Sequence, residues 1–171
     1  MRARAPAPAL ALATLATLAS VAPSCALPAD TLGTYDVVGT RLADGCGGAP
    51  NPWGFPVLLS RKNGMLSWNW LDASPILSGP VLDGDQAALS GQQIANVDAD
   101  GSVMGPCDLS RADTLTVTLG SGSPPASFTA MLSYTFGVQE GANCTDQLAS
   151  SGGPYEALPC TIRYSLRGTR E

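Results

Sequence analysis

The 171-residue chain contains no histidine, which removes the Ser-His-Asp and Cys-His arrangements of nucleophilic catalysis at once. Neither a Gly-x-Ser-x-Gly elbow nor a Gly-x-x-x-x-Gly-Lys phosphate loop occurs. The glutamates stand at 140, 156 and 171 and the aspartates fall in turns, so no strand sets two carboxylates opposite one another for general acid and base work. No enzyme and no cofactor are expected. Asp98-Ala99-Asp100-Gly101 opens like a calcium loop but lacks its third Asp and later bidentate Glu. With Asp83-Gly84-Asp85 it reads as turn chemistry, because Asp and Gly tolerate the backbone angles of tight turns. The cysteines have no CxxC spacing, and no metal site is expected.

The remaining groups with chemistry to offer are aromatic. Trp68, Trp70, Tyr134 and Tyr164 lie on the apolar faces of their segments, and Trp53 stands in Asn-Pro-Trp-Gly-Phe-Pro, read as loop. Such rings bury large areas and fill cores. They also wall ligand cavities, where Tyr hydroxyls and Trp N–H groups orient a bound molecule. Core packing is the more economical account, since apolar alternation is expected with or without a cavity. Trp53 reads either as a plug over one end of the fold or as an exposed recognition residue.

The elements that must position these rings are strands. In Ser127–Val138, Phe128, Ala130, Leu132, Tyr134, Phe136 and Val138 alternate with Thr, Met, Ser and Gly, the period of a half-buried strand. Leu115, Val117 and Leu119 repeat the pattern before it, and Ile162, Tyr164 and Leu166 repeat it after. No charge falls on these apolar faces, so a charged ligand deep inside is not expected. Upstream, strands are expected at 33–42, 55–61, 65–71 and 76–82, with two short ones at 86–90 and 92–97 split by Gly91, and a brief one at Val103-Met104. Asn63-Gly64 supplies the two positive-φ residues of a tight hairpin. Loops are expected at 43–54, 105–112 and 140–159. Alternating directions place Cys46, Cys107, Cys144 and Cys160 at one rim together with these long loops. Of the pairings open to four cysteines, Cys144–Cys160 with Cys46–Cys107 is preferred because it staples the last loop. Cys46–Cys160 with Cys107–Cys144 also fits one rim if the first and last strands meet.

The N-terminus stands outside this pattern. Arg2 and Arg4 precede an Ala/Leu/Thr run over 9–21 and small residues at Ala22, Ser24 and Ala26, the plan of a secretory signal peptide. Ala22-Pro23-Ser24-Cys25 resembles the lipobox of bacterial lipoproteins, departing from it in Ala three before the Cys and in the Pro. That resemblance implies lipidation of Cys25 and attachment to a membrane. Cleavage after Ala26 would instead release a soluble periplasmic or secreted product. Five cysteines are present, so removing or lipidating Cys25 leaves an even four for two disulfides in an oxidising compartment. Without Arg2 and Arg4, seven basic residues face fourteen acidic ones, a net charge of −7. An acidic surface with no basic stripe argues against nucleic acid.

These features describe a signal peptide over 1–24, a lipidated Cys and tether over 25–32, and one all-β antiparallel domain over 33–171. Eight to ten strands suit an up-and-down barrel, similar to lipocalins in shape, with a β-sandwich as the alternative. The expected function is a non-enzymatic envelope lipoprotein binding a small apolar or amphipathic ligand inside the barrel. The alternative is a solid-core interaction module whose cysteine-rim loops contact an envelope partner.

Overall fold

The computed structural model describes residues 30–72, 74–97 and 106–171. The signal segment, Cys25, Asp98, Asp100 and Val103-Met104 therefore lie outside the described residues. Eight strands close into one barrel in sequence order: β1 (Asp30–Asp44), β2 (Trp53–Lys62), β3 (Met65–Asn69), β4 (Leu77–Pro80), β5 (Gln86–Asn96), β6 (Asp108–Leu119), β7 (Ser127–Val138) and β8 (Cys160–Arg170). Every neighbouring pair is antiparallel, and β1 closes on β8 from Tyr35↔Arg170 to Asp44↔Ile162. Register shifts in β1 at Thr31/Gly33 and Arg41/Ala43 bend it at both ends, as closure requires. The barrel, not the sandwich, is the fold.

Alternation decides what fills it. On β7, Phe128, Ala130, Leu132 and Tyr134 are buried; on β1, Tyr35 and Val37 are buried while Val38 is 55% exposed. An eight-stranded barrel is just wide enough to fill with its own side chains, and its tight-turn half is filled. Trp68 is wholly buried, 5.3 Å from the Phe128 ring, which lies 5.2 Å from Tyr35. The Tyr35 hydroxyl donates to Pro125 O at 2.7 Å and ties the 120–126 turn over that end. A side chain at Gly168 would drive into the Phe128 ring, so β8 stays bare where the ring passes.

Several boundaries depart from the sequence reading. β1 begins at Asp30, paired with Arg61, so the end of the expected tether is strand. Gly91 does not split β5, whose register with β6 runs unbroken from Gln86↔Thr118 to Asn96↔Asp108. It is a point of close packing instead, since a Cβ there would stand 2.6 Å from a Leu77 methyl. β6 extends back to Asp108, into the expected 105–112 loop. Trp53 opens β2 instead of sitting in a loop.

All four described cysteines gather at the long-loop rim, but the preferred pairing is overturned. The disulfides are Cys46–Cys160 and Cys107–Cys144. Closure brings the end of β1 beside the start of β8, where Gly45 N donates to Thr161 O at 2.9 Å. Cys107 precedes β6 and Cys144 follows β7, its hydrogen-bonded neighbour. A Cys46–Cys107 bridge would have to cross the barrel mouth, beyond the few ångströms a disulfide spans. Two disulfides fit an oxidising, extracytoplasmic compartment. No helix among the described residues is long and apolar enough to cross a membrane.

Candidate functional site

Above the Trp68 layer the barrel is not filled. A cavity of about 360 Å³ opens at the disulfide rim, walled by Trp53, Trp70, Tyr134 and Tyr164 together with Phe136 and Ile162. Of the five rings singled out from the sequence, these four line the cavity and Trp68 does not, although Trp70, Tyr134 and Tyr164 belong to the same buried core as Trp68. Trp53 is the hub, with ring centroids 4.2 Å from Phe55, 5.1 Å from Tyr164, 5.9 Å from Trp70 and 6.2 Å from Tyr134. It reaches this position by parity: Trp53, Phe55, Val57 and Leu59 are the inward residues of β2. It is a wall of the mouth, neither an end plug nor an exposed recognition residue.

The 45–52 loop supplies the lip. Asp44, at the end of β1, accepts from Gly47 N at 2.8 Å, Ala49 N at 3.0 Å and Arg41 Nη1 at 2.9 Å, and Arg41 Nη1 also donates to Ala49 O. This brings Ala49 and Pro50 into the cavity wall, where the Tyr164 hydroxyl donates to Pro50 O at 3.0 Å. A Cβ on Gly39 would stand 3.0 Å from a Leu166 methyl and 3.4 Å from the Tyr164 ring, so a larger residue would crowd the mouth from β1. Opposite, the Cys107–Cys144 bridge and Leu109 form a second small core with Tyr155 and Leu158.

Charge enters the site through β6, against the expectation of an uncharged interior. Leu109, Arg111, Asp113, Leu115 and Val117 all fall on the inward parity of that strand. Asp113 is only 3% exposed, and both its oxygens accept from Arg111, from Nε at 2.7 Å and Nη2 at 2.6 Å. The guanidinium lies 4.2 Å over the Tyr134 ring, a cation–π contact strengthened by the partly dry setting. Burial alone would lower the Arg111 pKa, but hydrogen bonding and charge from Asp113 more than offset it and leave it raised. Burial pushes the Tyr134 phenol well above its usual range, with Arg111 pulling back. Both charged residues were legible as two further steps of the Leu115-Val117-Leu119 alternation, run backwards.

One further polar group completes the mouth. Asp72 lines it from the loop after β3, its carboxylate accepting from Ser74 N at 3.0 Å. That bond and a second from the Ser74 side chain hold its pKa below the ordinary value. Below the mouth, the buried indole N–H groups of Trp68 and Trp70 both lack a hydrogen-bond partner among the described residues, an unusual condition for buried donors. No group of three or more potential metal ligands occurs among the described residues. The arrangement offers a concave aromatic surface, one paired cation and one carboxylate. No family model matches the chain, and no curated protein or solved structure shows significant similarity to it.

Proposed function

We propose that this chain is an exported, non-enzymatic barrel protein that binds one small apolar or amphipathic molecule at the disulfide-rim mouth, held at the cell envelope by a lipid on Cys25. The observation that carries the binding reading is the cavity of about 360 Å³ walled by four aromatic residues. Its size lies within the range of small-molecule pockets, and its lining has their mix of apolar wall and few polar groups. The disulfides and the basic-then-apolar N-terminus support export.

The test is titration of the mature, oxidised protein with the neutral fluorescent probe N-phenyl-1-naphthylamine. A saturable signal at one site per chain is expected, and Ala49→Phe should abolish it by filling the mouth. Trp68→Ala should instead lower stability by ~3–5 kcal/mol, the usual cost of emptying a core Trp site. A folded protein that never saturates with probe would sink the binding reading. Intact mass of protein extracted from its own membrane tests the anchor: acyl chains on Cys25 are expected, and a chain starting at Leu27 would refute lipidation.

A further inference from the structure

The polar end of the ligand is constrained by how the charges at the mouth are already committed. Two ionised side chains line the cavity, Arg111 and Asp72. Arg111 is held on one side by both oxygens of Asp113 and lies over Tyr134, so its charge is matched inside the wall. Asp72 enters no ion pair among the described residues. Arg111 also attracts Asp72 at longer range, but one guanidinium between two carboxylates leaves the mouth with a net negative charge, beside rings whose faces are themselves electron-rich. The protein as a whole is acidic, at −5, and its field adds in the same direction. A carboxylate or phosphate entering here would meet Asp72 and the buried Asp113 with the nearest cation already paired. A cation would meet the exposed Asp72 carboxylate, which is hydrogen-bonded to Ser74 but has no ion pair among the described residues, and aromatic faces that attract it through their quadrupoles.

We propose that the cavity selects cationic amphipaths: molecules with an apolar body and a protonated amine or quaternary ammonium head, seated against the Trp53, Trp70 and Tyr164 rings with Asp72 as counter-ion. This rests on the reading of the mouth as a ligand site. Trp53 and Trp70 lie 5.9 Å apart with their planes 23° from parallel, and both line the cavity beside Tyr164 and Asp72. Asp72 is exposed, so its contribution is moderated by solvent and sensitive to salt.

The experiment is displacement of N-phenyl-1-naphthylamine from the full mature chain, disulfides intact, by three probes that share a benzyl body. These are benzyltrimethylammonium, its neutral carbon isostere neopentylbenzene, and the anion phenylacetate. The cation is expected to bind about fivefold or more tighter than the isostere, within the reach of cation–π attraction. Asp72→Asn is expected to weaken the cation by about two- to fivefold and leave the isostere unchanged, the scale of an exposed charge pair. Raising the salt should erase that difference. Equal or tighter binding of the neutral isostere would overturn the charge assignment while leaving the cavity as a ligand site. Tightest binding of phenylacetate would overturn it in favour of Arg111 as the anchor. An Asp72→Asn protein with undiminished cation affinity would overturn Asp72 as counter-ion. Failure of all probes, the naphthylamine included, would remove the ligand site itself.

Discussion

Arg111 and Asp113 sit two residues apart on one strand, and strand geometry sends both side chains into the barrel. Asp113 is the buried charged residue of the described core, and its two hydrogen bonds to Arg111 make the burial tolerable. Removing one partner strands the other. Asp113→Ala is expected to cost about 2–3 kcal/mol in urea unfolding, below the ~3–5 kcal/mol of a fully buried pair, because a quarter of the Arg111 side chain remains in water. Replacing both, as Arg111→Met with Asp113→Leu, should recover most of that loss, since matched apolar groups leave no charge unpaired. The individual rings follow the same logic of parity. Trp68 and Tyr134 could be assigned to the inner face from their strands alone, whereas Trp53 could not, because Pro52, Gly54 and Pro56 around it read as loop chemistry.

At the scale of elements, the two disulfides each join a neighbouring strand pair at one rim, yet they constrain the chain unequally. Cys46–Cys160 closes a separation of 114 residues and Cys107–Cys144 one of 37. Loop-closure entropy grows with the logarithm of length, so the longer bridge should contribute about 1 kcal/mol more. Unfolding of Cys46→Ala/Cys160→Ala against Cys107→Ala/Cys144→Ala measures this directly, and an equal cost would show that strain or residual structure outweighs chain entropy. The elements themselves were well marked in the sequence where alternation was uninterrupted: Ser127–Val138 is β7 to the residue. They were poorly marked where small or charged residues occupy inward positions. Gly91 looked like a break because glycine usually is one, and the first residues of β6 looked like loop because Arg111 is charged, although it keeps the inward parity of the strand.

Over the whole molecule, burial is shared by every tyrosine. Tyr35, Tyr134, Tyr155 and Tyr164 all have pKa values raised by burial. Below about pH 10 the phenols are protonated in both native and unfolded chains, and their contribution to stability is fully present. Above it the unfolded chain releases protons that the native barrel retains, so stability falls as pH climbs toward the raised native values. Denaturation midpoints between pH 8 and 12 should show this decline, and Tyr134→Phe should lessen its slope; an unchanged slope would place the loss elsewhere. The sequence by itself determined the all-β class, the antiparallel order and the gathering of four cysteines at one rim. Each of these follows from local alternation and turn chemistry, which act over a few residues. Only the tertiary structure decided which cysteines pair and which rings wall a cavity. Both depend on β1 meeting β8, a contact between the two ends of the domain that no local pattern encodes. Closure places Cys46 beside Cys160, sets Tyr164 under the Pro50 lip, and leaves the mouth wider than its side chains can fill.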